Sequence, residues 1–169
     1  MTSLQFKFTE TRYRHGFMLL EIVVGSAIIL SFFIGVMYVF GQMTRLSTFN
    51  LESLQASFLL TEGVEAVKTI RDLGWQSNIA PLTSGTDHFL IFDSVNNTWL
   101  TTTDNLYIDN KFERRFTLDD VYRDGNQDIA GSGTLDPETK KLSVSVAWSN
   151  HGATTTKSIS TYLTDLFDN

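Results

Sequence analysis

The sequence has no cysteine and very little proline. Without cysteine, disulfides, cysteine-based zinc sites and a thiol nucleophile are all excluded. A folded domain of this chain must therefore be held together by its apolar core and its hydrogen bonds. The only prolines are Pro81 and Pro137, so the first 80 residues lack the residue type that most strongly interrupts a helix.

The usual signatures of a catalytic site are also missing. The three histidines, His15, His88 and His151, are isolated in the sequence, and no two of them have the spacing of metal ligands on a helix. No G-x-S-x-G motif and no phosphate-binding glycine loop is present. Serine and threonine are abundant, but an exposed sheet face accounts for them. We expect the protein not to be an enzyme.

Charge is absent from Ile22 to Phe40, a run of 19 residues. This length is close to the roughly 20 apolar residues that a helix needs to cross a bilayer. The run is too long for the core of a secretory signal peptide, and no small-residue cleavage site follows it. The basic residues Lys7, Arg12 and Arg14 predict a cytoplasmic N-terminus and an outer C-terminal domain.

The part of the chain after Gly41 is acidic, with seventeen acidic and ten basic residues. Sequence-independent DNA binding depends on neutralising phosphates with lysine and arginine. We therefore expect no direct nucleic-acid partner for this domain.

One carboxylate stands at the start of the apolar run. Glu21 lies between Phe17-Met18-Leu19-Leu20 and Ile22-Val23-Val24-Gly25, and Gly16 ends the polar leader. A charge in this position is costly in lipid, so it predicts a functional role and a partner. The motif G-F-x-L-L-E-I-V-V-G resembles the processing signal of type IV prepilins and of the pseudopilins of type II secretion.

This resemblance implies a processing pathway and a set of partners. A prepilin peptidase would cut between Gly16 and Phe17 and methylate the new N-terminus. Glu21 would then be the fifth residue of the mature protein and pair with the terminal amine of a neighbouring subunit. The family also implies other pilin subunits, an assembly platform protein and an ATPase, with storage in the cytoplasmic membrane before export into a surface or periplasmic fibre. The alternative is an uncleaved signal anchor that carries an extracytoplasmic binding domain.

An ion pair of this kind has a physical purpose. Either charge alone in an apolar setting costs several kcal/mol, and pairing recovers much of that cost. Apolar helix contacts tolerate many axial offsets, whereas an ion pair favours one, as a single polar residue does in a coiled coil. The sequence departs from many type IV pilins in having no proline within the apolar helix. This absence favours a minor pilin or pseudopilin.

Helical periodicity continues from about Gly41 to Leu73. One stripe predicts a face packed on the protein's own sheet, and a second stripe on nearly the opposite side predicts contact with other helices or exposure to solvent. Charged residues fit a partly solvated remainder, and Gly74 fits a left-handed position after the helix end. The first stripe is Leu46, Phe49, Ala56, Leu60, Val64 and Val67; the second is Leu51, Leu54 and Phe58; the charged residues are Glu52, Glu62, Glu65, Lys68 and Arg71.

The C-terminal half has the alternating pattern of short strands. His88–Phe92 and Thr98–Leu100 predict a hairpin joined by Asp93–Asn97. Two further rows of residues show a period of two, and the second of them is expected to face the helix. The first row is Phe112, Arg114, Phe116 and Leu118; the second is Leu142, Val144, Val146 and Trp148. Ser149–Thr156 is predicted to be a loop, followed by a last strand, Lys157–Thr164, with Ile159 and Leu163 on one face.

These patterns predict an α+β protein with the layout of a pilin, in which a long N-terminal helix packs on a C-terminal antiparallel sheet. The predicted divisions are a leader over 1–16, a membrane-embedded helical half over 17–40, an amphipathic half over 41–73 and a head domain over 74–169.

One loop has the residues of a candidate metal site. Asp124, Asn126 and Asp128 have the D-x-N-x-D spacing that opens a calcium-binding loop. However, Ile129 replaces the usual glycine at the sixth position, and Leu135 replaces the usual glutamate at the twelfth. Asp, Asn and Gly are also common in any turn. The pattern therefore favours a plain turn, and a Ca²⁺ site stays open as the alternative because some pseudopilins, which the chain resembles, bind calcium through a loop near the sheet.

Overall fold

The computed structural model describes residues 14–150 and 152–167. The leader as far as Tyr13, with Lys7 and Arg12, lies outside the described residues, as does His151. By its contacts the chain divides after Thr48 into an N-terminal unit and a C-terminal unit. The elements in chain order are α1 (Arg14–Asp72), α2 (Trp75–Asn78), β1 (His88–Asp93), β2 (Thr98–Thr102), β3 (Tyr107–Ile108), β4 (Phe112–Arg123), β5 (Ile129–Ala130), β6 (Thr134–Asn150) and β7 (Ala153–Thr164).

The described part of the N-terminal unit is helical throughout and leaves its apolar side chains exposed. The part of α1 from Phe17 onwards is long and apolar enough to cross a membrane, judged by length and composition. Its hydroxyl side chains bond back to the helix: Ser31 donates to the carbonyl of Ala27 at 2.8 Å and Thr44 to that of Phe40 at 3.0 Å. Such back-bonding satisfies hydroxyl groups in surroundings that offer no water.

The sheet in the C-terminal unit is antiparallel throughout. Its main strand order is β2-β1-β4-β6-β7, and the two-residue strands β3 and β5 also pair with β4. The β6–β7 register is continuous from Asn150↔Ala153 to Thr139↔Thr164. The β4–β6 register shifts between Asp120 and Val121, where β6 has extra residues. Such a bulge increases local twist at one end of the sheet.

The core lies between the C-terminal part of α1 and one face of this sheet, which we call the inner face. The predicted first stripe is buried from Ala56 onwards, and the predicted second stripe is exposed. The row Leu142, Val144, Val146 and Trp148 is buried, as predicted. Thus one helix packed on an antiparallel sheet is confirmed as an α+β arrangement.

The loop predicted over Ser149–Thr156 is wrong. Strand β6 continues to Asn150 and β7 begins at Ala153, so only two residues connect them. Gly152 has a φ of +84°, which a tight hairpin turn requires and glycine tolerates. The three threonines that follow it are β-branched and therefore prefer a strand over a loop.

One smaller expectation also needs correction. Gly74 does end the helix at a positive φ of 143°, but its ψ of 114° lies outside the left-handed helical region. The prediction that Ile159 and Leu163 share one face of β7 is confirmed; Leu163 is fully buried, whereas Ile159 is 46% exposed. Ile159 therefore lies where the helix does not cover the sheet.

Candidate functional site

The residues predicted to control processing lie at the start of α1. The helix begins at Arg14, so Gly16 and Phe17 lie within its first turns. Phe17 is 77% exposed, and Glu21 is also exposed one turn further on. Neither is brought together with another functional side chain among the described residues. This part of the helix offers a bare apolar surface with one carboxylate near its beginning.

The second half of α1 is fixed to the sheet by a buried carboxylate. Glu52 is only 8% exposed, which corrects the prediction that it is solvated. Its Oε1 accepts a hydrogen bond from Lys111 Nζ at 2.7 Å, and its Oε2 accepts bonds from Trp148 Nε1 at 3.1 Å and Asn150 Nδ2 at 3.2 Å. A buried carboxylate needs such partners to offset its lost hydration.

The sequence contained a signal for this position. Glu52 precedes Ala56 by four residues, so both lie on the same face of a helix. Since Ala56 belongs to the buried stripe, Glu52 belongs to it too. We call Glu52, Lys111, Trp148 and Asn150 the helix clamp.

A second contact lies about three turns further along α1. An ideal Cβ added to Gly63 would come within 2.9 Å of Val144 Cγ1 and 3.2 Å of Arg114 Cδ. The missing side chain at Gly63 thus lets the helix approach the inner face closely. Arg114 passes beneath it, 4% exposed, and its Nη1 lies 3.0 Å from Glu62 Oε2.

Arg114 also contacts an aromatic ring. Its guanidinium carbon lies 5.2 Å from the centre of the Trp99 ring, within cation–π distance. Burial lowers the pKa of the Arg114 guanidinium below its usual value, and the neighbouring Glu62 carboxylate opposes that shift. This arginine therefore ties strand β2, strand β4 and the helix to one another.

The strand β7 makes a third link to the helix. Lys157 Nζ donates to the backbone carbonyl of Ser53 and to Ser57 Oγ, both at 2.9 Å. The lysine is thereby held over the inner face of the sheet. All three links lie within the C-terminal unit.

The Asp124 loop is organised by its own backbone. Asp124 Oδ1 accepts the N–H groups of Asn126 at 2.8 Å and Asp128 at 3.0 Å, which is the bonding of an Asx turn. Arg123 Nη1 donates to the carbonyl of Gln127 at 2.8 Å, so a cation already lies beside the loop.

The Arg123 guanidinium also pairs with a carboxylate on β6. Its Nε lies 2.6 Å from Asp136 Oδ2. Burial raises the pKa of Asp136, but hydrogen bonds from Arg123 and Thr139 outweigh burial and hold that pKa below its ordinary value. Among residues 14–150 and 152–167, no three side chains of His, Asp or Glu converge on one point. The calcium site at Asp124, Asn126 and Asp128 stays a prediction.

Comparison with protein-family models, curated proteins and solved structures gave no match to this chain.

Proposed function

We propose that the chain is a structural subunit of a type IV pilus or a type II secretion-like pseudopilus, and a minor rather than a major subunit. A prepilin peptidase removes residues 1–16 and methylates Phe17. The mature subunit is held in the cytoplasmic membrane by residues 17–40, with its head domain outside. A platform protein and an ATPase then insert it among other pilin subunits in a fibre.

The exposed surface of the N-terminal unit is the observation that carries this proposal. Large apolar side chains from Phe17 to Met43 are about half to three-quarters exposed on all sides of the helix. Such a surface needs lipid or other helices around it. Both environments occur in the life of a pilin, first as a membrane protein and then as a fibre subunit.

Glu21 supports the fibre over a simple anchor. A simple anchor gains nothing from a carboxylate at the start of its apolar run, and pays a cost in lipid for it. The amine released at Phe17 supplies a compensating charge on each neighbouring subunit. The pair selects one axial offset between helices, as described above.

The C-terminal unit supports a pilin-like layout. The continuation of the same helix is fixed to an antiparallel sheet by the helix clamp and by the Arg114–Glu62 pair. These contacts would transmit a pulling force on the helix to the sheet. A subunit whose head must stay attached to a fibre needs such a connection.

The first test is the N-terminal residue of the protein recovered from cells that have a prepilin peptidase. Intact mass and N-terminal peptide mass spectrometry should give a start at methylated Phe17. A chain that retains residues 1–16 under those conditions would instead support the alternative, a membrane-anchored binding domain with an uncleaved anchor.

The role of Glu21 is tested by substitution. Glu21→Ala should be inserted and processed normally but be depleted at least tenfold from sheared fibres, because the ion pair that sets its axial position is lost. Ser31→Ala, in the same helix and without a change in charge, is the matched control. Incorporation of Glu21→Ala at the wild-type level would show that the carboxylate has no assembly role.

A further inference from the structure

The helix clamp brings an amine, a carboxylate and a carboxamide together. Glu52 Oε1 accepts a hydrogen bond from Lys111 Nζ at 2.7 Å, and Glu52 Oε2 accepts one from Asn150 Nδ2 at 3.2 Å. Glu52 is buried, and Lys111 and Asn150 are half-buried. The two oxygens of a single carboxylate therefore hold the amine of a lysine and the amide of an asparagine beside each other.

The fold supplies these three groups from three different elements. Glu52 lies on α1. Asn150 is the last residue of β6 and shares a strand face with Trp148, two residues earlier. Lys111 directly precedes β4, whose first residue, Phe112, pairs with Trp148. Lys111 and Asn150 thus flank one cross-strand pair on neighbouring strands, where long side chains can reach one another.

An amine and a carboxamide held in contact can be joined covalently. Attack of Lys111 Nζ on Cγ of Asn150 forms a new carbon–nitrogen bond, and departure of Nδ2 as ammonia breaks the old one. The product is a secondary amide between the two side chains, and the step consumes no oxidant, reductant or cofactor. Free amides resist such attack, but well-oriented groups within one molecule can react as if present at about 10⁵–10⁸ M.

The remaining obstacle is the movement of protons, and Glu52 is placed to carry it out. The ammonium group of Lys111 must lose protons before Nζ can attack, and Nδ2 of Asn150 must gain one before it can leave. Glu52 Oε1 contacts the group that loses protons, and Oε2 contacts the group that gains one. In balance, an ammonium group and a carboxamide give an amide and one ammonium ion, and Glu52 returns to its carboxylate form.

We propose that Lys111 and Asn150 become joined by an intramolecular isopeptide bond, with Glu52 as the catalytic residue. The bond closes the chain from Lys111 to Asn150 into a loop that contains β4, β5 and β6. In a chain without cysteine it supplies the covalent constraint that a disulfide gives to other small domains. The inference concerns the chemistry of the C-terminal unit and does not depend on the proposed function.

The mass of the full chain tests this proposal. The protein is purified from cells in micelles, denatured and measured intact. Its mass should be lower by about 17 Da, one ammonia, than the mass calculated for its observed N-terminus. A tryptic digest should then contain one branched peptide that carries both Lys111 and Asn150. An unshifted mass for the wild-type protein overturns the inference, and this reading needs no variant.

Single substitutions assign the roles of the three residues. Lys111→Arg removes the attacking amine and Asn150→Ala removes the amide, so each should abolish the mass loss. Glu52→Gln keeps a hydrogen-bond acceptor but cannot carry protons, and it should also leave the mass unshifted. Lys157→Arg is the matched control. Lys157 also binds α1, but through a hydroxyl and a backbone carbonyl, so this variant should keep the full mass loss.

Two results with the variants would also overturn the inference. A mass loss that persists in Lys111→Arg belongs to another amide, for example one closed to a cyclic imide. A full mass loss in Glu52→Gln would remove Glu52 from the reaction. Near-UV circular dichroism shows whether Glu52→Gln is folded, and if it is not, the wild-type mass and the branched peptide decide.

The same digests separate this inference from the proposed function. A chain that starts at methylated Phe17 without the branched peptide removes the isopeptide bond alone. A chain that keeps residues 1–16 but contains the branched peptide removes the proposed function alone. Because a formed bond would add to any loss of stability in Glu52 variants, the readout here is mass and not the free energy of unfolding.

Discussion

Residues 17–48 and 49–72 belong to one helix and are both rich in large apolar side chains, yet they bury them very differently. In the first segment Leu30 is 62% exposed and Phe33 56%. In the second, Leu60 is 7% exposed and Val67 is fully buried. The difference arises because, among the described residues, it is the second segment that packs on the sheet. The apolar content of a helix predicts that its side chains will be buried by some partner. The fold determines whether that partner is another part of the same chain.

The two carboxylates of these segments repeat the contrast. Glu52 is enclosed by Lys111 and Trp148, whereas Glu21 is exposed in the first segment, where the described residues give it no hydrogen-bond partner. A carboxylate on an otherwise apolar face can therefore be stabilised from inside the chain or from outside it. Glu52 is of the first kind, and our proposal makes Glu21 one of the second kind.

The largest effect should come from a leucine that the chain buries. Leu60→Ala is expected to lower the free energy of unfolding of the C-terminal unit by roughly 2–5 kcal/mol, through lost burial and a cavity. Denaturant unfolding of the full chain in micelles, followed by tryptophan fluorescence, measures this. The three tryptophans, Trp75, Trp99 and Trp148, all lie in that unit.

Leu54→Ala is the matched control on the same helix. Leu54 is 53% exposed, so its substitution should change the unfolding free energy by no more than about 0.5 kcal/mol. Equal losses for Leu54→Ala and Leu60→Ala would contradict the division of the helix into a covered and an uncovered side.

Much of this division was predictable, and the reason is periodicity. The stripe from Ala56 to Val67 and the strand rows at Phe112–Leu118 and Leu142–Trp148 follow the repeats of helix and strand, which sequence shows directly. The helix clamp was missed because Lys111 and Trp148 are distant in sequence, and no local pattern joins them to Glu52. The sequence predicts a loop between β6 and β7 instead of a tight turn because turn residues and strand-forming threonines lie side by side there.

An intermediate effect is expected from the carboxylate of the clamp. Glu52→Ala removes the acceptor for Lys111 Nζ and for the buried Trp148 Nε1, and should cost roughly 1–3 kcal/mol of unfolding free energy. The same unfolding assay measures this loss. Glu52→Gln keeps an acceptor and should cost less.

The matched control for Glu52→Ala is Glu65→Ala. Glu65 pairs with Lys68 on the exposed side of the same helix, and such a pair contributes little to stability. Its removal should cost no more than about 0.5 kcal/mol. If Glu52→Ala costs no more than Glu65→Ala, the clamp does not hold the helix to the sheet.

The smallest effects are expected from replacing glycine by alanine, which should stabilise the helix in the first segment and destabilise the fold in the second. Replacing a helical glycine by alanine favours the helix by up to about 1 kcal/mol. At Gly41 nothing lies within 4 Å of the added Cβ, so Gly41→Ala should stabilise the helix and slow amide exchange around it by up to about fivefold in micelles.

At Gly63 the added Cβ would meet Val144 Cγ1 at 2.9 Å, and overpacking of this kind typically costs 1–3 kcal/mol. Gly63→Ala should therefore destabilise the C-terminal unit by up to about 2 kcal/mol in the unfolding assay. A stabilising Gly63→Ala would mean that the helix does not need this close approach to the sheet, and the contrast between the two segments would then rest on the leucines and the clamp alone.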